Sequence, residues 1–531
     1  MSKLTRRTVL NSMIGLGAAA ALPAAARAAT GTDPVVRTSH GAVRGRTEDG
    51  VLAFRGLRYA APPVGKLRFK PPQAPAPWTG VADAIEFGAA SVQSAGQPDM
   101  PPYEKHDEDC LFLNVWTTSL KGKRPVMVWL HGGAFSTGAA GRPTYFGDHF
   151  ARDGIVLVSV NHRLNVFGYA QLPESWGPEY ASSGMAGMLD IVAALKWVQK
   201  NVARFGGDPA NVTIFGESGG GAKVSLLLAM PGAKGLYHKA IIQSGAALDA
   251  APRDYAYALG GALLDGLGLA AGDAAGLAAI ETSKIFSAQD AAVAKVSALV
   301  APGGFLNSGF VPSINPIDLP RGPFTPDAPS MSAHVPLLIG TNKDEMTLFL
   351  TGRKDFLTQS DADFESAVRK AYPDEAERIA AAMRRPYPDY SPAYLITALS
   401  TAQSFWLNSI VLAERKLAQR AAPVYMYRMD WGSPIRDGLL KAAHAMELSF
   451  VFSTYEAVRH FVGPGDGPAR MASQMHPAWV AFAKTGDPNT SPLPQWPTYD
   501  TQSRNTMIFD LQSRVEKDPL SELRRLMLSQ A

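Results

Sequence analysis

Six short apolar runs limit what this chain can become. They are 125–130 (PVMVWL), 155–160 (IVLVSV), 212–215 (VTIF), 240–243 (AIIQ), 335–339 (VPLLI) and 424–428 (VYMYR). They read as near-continuous rather than alternating patterns, which suits strands covered on both faces, as in a parallel sheet. Between the second and third runs, Met188, Ile191, Val192, Leu195, Val198 and Val202 fall at helical spacing. That spacing predicts a helix ending near Phe205-Gly206-Gly207, where glycine can take a left-handed cap. Strands alternating with helices predict an α/β fold. Alanine-rich helical patterns at about 246–300 and a second helical block at about 361–420 read as insertions over the same sheet, separated by the proline-rich stretch 302–336.

The first 28 residues read as a leader outside the fold. Lys3, Arg6 and Arg7 form a basic start, an apolar stretch runs from Met13 to Leu22, and small residues end in Ala26-Arg27-Ala28. Arg6-Arg7, followed by Val9-Leu10, reads as a twin-arginine export signal, with an ordinary secretory leader as the alternative. Cleavage after Ala26 or Ala28 predicts an exported chain, periplasmic or extracellular, with residues 29–531 as a single domain. The leader's four basic residues account for the formal net charge of +4, so the mature chain is neutral. With no basic run interleaved with aromatics, a nucleic-acid partner is not expected. No later segment reads as a membrane span, so no membrane partner is expected after leader removal, and oligomeric state is left open. Cys110 is the single cysteine, which excludes an intramolecular disulfide.

The chemistry concentrates in IFGESGGG, 214–221. Gly216-x-Ser218-x-Gly220 follows an apolar run and precedes a helix-like KVSLLLAM, the setting of a nucleophile elbow. A serine hydroxyl is a weak nucleophile and has to be presented to a base. A phosphate-binding loop needs lysine and a hydroxyl directly after its last glycine, and Gly221-Ala222-Lys223 lacks that spacing. A second glycine corner, WLHGGAFSTG, follows another predicted strand and suits an oxyanion loop, with Gly219 adding the N–H that follows the nucleophile. The acid and base should come later in the chain. Asp344 or Glu345 offers the acid, and His444, His460 or His476 the base; the residues alone do not choose.

The chain resembles the type-B carboxylesterases, a family that includes cholinesterases and bacterial para-nitrobenzyl esterases. The likeness rests on FGGDPANVTIFGESGGG, EDCLFLNVW, LIGTNKDEMTLF, AAHAMELSFVF and MHPAWVAFAKTGDPNTSPLPQWPTYD, in that family's order, and covers nearly the whole mature chain. It implies an α/β-hydrolase fold with a mostly parallel central sheet, helices on both faces and large helical insertions. It also implies Ser218 as nucleophile, Glu345 as acid and His444 as base, with oxyanion N–H groups on Gly133, Ala134 and Gly219. Ser244 is then expected beside Glu345, Glu217 to point away from the reaction, and Arg163 to form a buried scaffold ion pair. The loop Gly132-Gly133-Ala134-Phe135 is similar to the family's GGG(A)X type, which implies room for bulky alcohols. Phe135 is expected to line the pocket; Phe405 and Trp406 are candidates for it, with core packing as the other reading.

Three departures stand out. Ser91 occupies the position of the cysteine that the family pairs with the cysteine of EDCL, which leaves Cys110 a free thiol. Gly219 stands where the family usually has alanine, which implies a looser elbow. Ala402 stands where many members carry aspartate. The expected activity is hydrolysis of small to medium carboxylic esters through an acyl-enzyme, on a small-molecule ester substrate, with no metal or cofactor. The alternatives are an amide or carbamate hydrolase with the same site, an interfacial lipase, and a non-catalytic cholinesterase-like binding module.

Overall fold

The computed structural model describes residues 33–94, 105–297 and 309–530. The leader, the middle of the 92–109 loop and the end of the 246–300 block lie outside the described residues. The strands run in chain order as β1 (Val35–Arg37), β2 (Ala42–Arg44), β3 (Arg46–Glu48), β4 (Val51–Arg58), β5 (Val81–Asp83), β6 (Phe112–Thr117), β7 (Arg124–Leu130), β8 (Val156–Val160), β9 (Gly207–Glu217), β10 (Lys239–Gln243), β11 (Leu337–Asn342), β12 (Val424–Met429), β13 (Asn505–Phe509) and β14 (Arg514–Lys517). An 11-stranded sheet has the order β14-β13-β12-β11-β10-β9-β7-β8-β6-β4-β3, and β1, β2 and β5 form a small separate sheet. The strands from β13 across to β8 are mutually parallel. At one edge β14 runs antiparallel to β13, and at the other β6, β4 and β3 continue antiparallel from β8.

The six apolar runs become β7 to β12. β9 is longer than VTIF because Gly207 pairs with Arg124, so the polar GDPAN segment joins the ladder. β11 begins two residues later than expected, at Leu337, and carries on through the polar Gly340-Thr341-Asn342 toward Glu345. The central strands are buried on both faces. Val126, Val128 and Leu130 face one apolar core, and Met127 and Trp129 face the other. Helix α1 (Ala186–Asn201) covers the first face with Met188, Ile191, Leu195 and Val198. Past a short 3-10 turn, Gly206 closes it in the left-handed conformation, φ 76°. Helix α2 (Gly219–Leu227) follows β9 directly. Helices α3 (Arg253–Leu267) and α4 (Thr282–Ser297) fall in the first expected insertion.

In the second insertion, α5 (Pro392–Thr401), a π-turn over Ala402–Trp406 and α6 (Leu407–Ala418) make one continuous 27-residue helix. It is long and apolar enough to cross a membrane by length and composition, which the sequence reading did not anticipate. Yet 61% of its most apolar window is buried within the protein, as suits a core helix. Helix α7 (Gly467–Thr485) packs Met471, Met475, Trp479 and Phe482 into the second core.

Candidate active site

The loop after β7, the corner after β9, the turn after β11 and the loop after β12 meet at the carboxyl ends of the parallel strands. That is where open α/β sheets place their sites. At the corner, Ser218 has φ 56° and ψ −124°, a strained conformation for a residue with a Cβ. Its N–H donates to Gln243 O at the end of β10 (2.9 Å). Glycine is required on the helix side. A Cβ on Gly220 would lie 2.0 Å from Leu130 O, and one on Gly219 would lie 2.0 Å from Ala134 O. The elbow is therefore tight at Gly219, not loose: the alanine usual in the family would strike the glycine loop.

Glu345 is fully buried and holds His444. His444 Nδ1 lies 2.6 Å from Glu345 Oε2, and the Asn342 N–H donates to Oε1 at 2.7 Å. Asp344, the other candidate acid, instead accepts from the Tyr390 hydroxyl (2.6 Å). His476 bonds Val451 O and Asp153, away from this cluster. Ser244 does not fill its expected place. Its buried Oγ has no hydrogen-bond partner among the described residues, and Glu345 is already served by Asn342 and His444.

Glu217 also departs from expectation. Its Oε1 lies 3.0 Å from His444 Nε2, without hydrogen-bond alignment, and Gly132 leaves the carboxylate room. A further carboxylate, Glu447, accepts from Asn342 Nδ2 (2.6 Å) and Gln243 Nε2 (3.1 Å). Three buried carboxylates thus surround one imidazole. Burial, reinforced by the neighbouring carboxylates, raises the pKa of Glu217 and of Glu447, while the imidazolium of His444 opposes the rise at Glu217, so Glu217 carries its charge when His444 does. Burial alone would lower the pKa of His444, but Glu217 and Glu345 overcome it and raise it. Glu447 had a readable signal, since it stands three residues after His444 on the turn entering Leu448–Val451. Nothing in the sequence marks Glu217 as facing the imidazole.

A general base works in its neutral form, so a raised His444 pKa moves the acid limb of the rate profile to higher pH. Glu217→Gln removes the anion at Nε2. The acid limb of kcat/KM is expected to move to lower pH by about one unit, the low end of a neighbouring charge's effect. An unmoved limb in pH-rate profiles of the two proteins would separate Glu217 from the base.

Rings flank the imidazole: the Phe405 centroid is 4.9 Å from that of His444, and the Phe349 centroid 5.2 Å. Phe349 was not anticipated; it is 45% exposed and stands four residues after Glu345. Trp406 is buried in the first core, and Phe135 is buried edge-on to Tyr169. Cys110 is a buried free thiol.

Residues 32–524 match the carboxylesterase family, and the chain belongs to it. It is 37% identical over 505 residues to the para-nitrobenzyl esterase of Bacillus subtilis, covering 93% of this chain and 98% of that protein. It is 34% identical over 485 residues to a phenmedipham hydrolase of Pseudarthrobacter oxydans, covering 88% and 93%. A solved carboxylesterase of Geobacillus stearothermophilus superimposes with a TM-score of 0.80 at 36% identity, over 93% of this chain and 99% of that one. The fold is that of the α/β-hydrolases, and the chain is a carboxylic ester hydrolase.

Proposed function

We propose that Ser218, His444 and Glu345 carry the hydrolysis as a serine–histidine–acid triad. The observation that carries this reading is the 2.6 Å contact between His444 Nδ1 and Glu345, beside a corner that holds Ser218 at φ 56°. In the proposed sequence, Ser218 Oγ attacks the ester carbonyl while His444 Nε2 takes its proton. The N–H groups of Gly133, Ala134 and Gly219 receive the oxyanion. None of the three donates to a protein acceptor among the described residues. The tetrahedral adduct expels the alcohol, which takes the proton from His444. Water then attacks the acyl-enzyme by the same route and restores the serine. Glu345 keeps the proton on Nδ1 and stabilises the imidazolium.

The substrate is a small or medium ester, with Phe405 as the nearest apolar wall to the base. Phe135 and Trp406, being buried, act through packing. The basic start, apolar stretch and small-residue end of residues 1–28 support export to the periplasm or beyond.

Diisopropyl fluorophosphate is expected to abolish hydrolysis of para-nitrophenyl acetate and butyrate with one adduct, on the peptide containing Ser218. An adduct elsewhere, or none with activity lost, would overturn the assignment. Turnover of para-nitrophenyl esters is expected to fall from butyrate to palmitate, and a tert-butyl ester tests the room implied by the Gly132-Gly133-Ala134 loop.

A further inference from the structure

The reaction above leaves unused a buried lysine that touches the glycine loop. Lys223 stands on α2, five residues after Ser218, and is fully buried. Its Nζ donates to His131 O (3.1 Å) and to Ala134 O (2.9 Å). These are the carbonyls at the two ends of the segment His131-Gly132-Gly133-Ala134. The two carbonyls between them are also held. Gly132 O lies 2.9 Å from His131 Nδ1, and Gly133 O accepts from the N–H groups of Ser136 (3.2 Å) and Thr137 (3.0 Å). Burial, reinforced by Lys223, drives His131 down to about 3, so its ring is neutral and free to donate from Nδ1. A trans peptide is planar, so fixing a C=O fixes the N–H on its opposite side. The Gly133 N–H shares its peptide with Gly132 O, and the Ala134 N–H shares its peptide with Gly133 O.

Ala134 O has a second neighbour. It is the atom that a Cβ on Gly219 would strike, at 2.0 Å. One oxygen therefore touches both the clasping lysine and the first residue of α2, whose own N–H is the third proposed donor.

We propose that Lys223 is a positioning residue of the oxyanion hole: its Nζ clasps both ends of the glycine loop and seats Ala134 O against Gly219, so that three N–H donors from two segments keep one geometry. The inference rests on the site reading above. Lys223 touches no substrate; it anchors the two peptides that flank the donor peptides of Gly133 and Ala134, and so fixes where that segment sits. The clasp needs two N–H bonds, which both the ammonium and the neutral amine possess, so it does not require a particular protonation state.

Lys223→Met keeps the length of the side chain and removes the donors. Its kcat on para-nitrophenyl acetate is expected to fall at least about tenfold, toward the ~10²–10³ that loss of one direct oxyanion donor costs, with KM little changed. Affinity for a trifluoromethyl ketone, which forms a tetrahedral adduct on the serine, is expected to fall by the same factor. Gly219→Ala displaces the oxygen that Lys223 holds, so its cost should shrink in the Lys223→Met background. If Lys223→Met does not fold, Lys223→Ser carries the same expectation, since it leaves room for water. A folded variant with wild-type kcat and ketone affinity, or additive effects of the two substitutions, would overturn the proposal. Ser218→Ala keeps the two readings apart. If it stays active, the site reading falls; if it is dead while Lys223→Met matches wild type, only the clasp falls.

Discussion

Ser218→Ala is expected to lower kcat on para-nitrophenyl butyrate by on the order of 10⁴ to 10⁶, leaving only what binding and oxyanion donors supply without a nucleophile. The loss should not come from unfolding. Alanine carries the same Cβ through φ 56° that serine does, so the strain of the corner is unchanged. The Ser218 main chain keeps its bond to Gln243 O in either case. Thermal unfolding of the two proteins should therefore nearly coincide while their rates part by orders of magnitude. A variant within tenfold of wild type would place hydrolysis at another residue.

Asp190→Ala is expected to cost about 3–5 kcal/mol of stability, the range for removing one partner of a buried ion pair. Arg163 and Asp190 are 2% and 0% exposed, and the carboxylate takes Nε at 2.8 Å and Nη2 at 2.7 Å. Without it the guanidinium keeps only the Lys70 and Ala186 carbonyls and stays charged in an apolar setting. The damage should reach activity as well. Arg163 begins the turn in which Leu164 N–H bonds Ser91 Oγ and Asn165 N–H bonds Phe135 O, next to the glycine loop. Urea unfolding followed by tryptophan fluorescence measures the cost. A change under about 1 kcal/mol, the scale of an exposed pair, would mean that Arg163 finds water in place of its partner.

The central strands were legible because their signals are local; the buried ion pair of Arg163 came from the family likeness, and its partner Asp190 was not named. An apolar run such as PVMVWL has few options other than a doubly covered strand. The antiparallel flank was not legible. Val51–Arg58 mixes arginine and glycine into its apolar residues, and three of the four residues of Arg514–Lys517 are charged, so edge strands of this kind are fixed by their neighbours. The choice of Glu345 over Asp344 came from likeness and not from the residues, since two adjacent carboxylates cannot be ranked until the turn after β11 is built. Glu217 was misread for a similar reason. Its neighbour His444 comes from a loop far along the chain, so no local signal reports the contact. Lys223 and Gly219 look unrelated in sequence and become one feature when Ala134 O lies between them.

The π-turn at Ala402–Trp406 sets the phase of the helix that bears it. An α-helix advances about 100° per residue, so one extra residue in a turn rotates everything beyond it by about that angle. On either side of the π-turn the helix buries residues in the first core, Leu395, Ala398 and Leu399 before the turn and Ile410 and Ala413 after it. Phe405 lies inside the offset, against His444. Closing the turn to ordinary α geometry would keep the helix but rotate one half against the other and swing that ring off the imidazole. Length changes in this helix therefore act on the active site through rotation about its axis, as well as through the contacts they move.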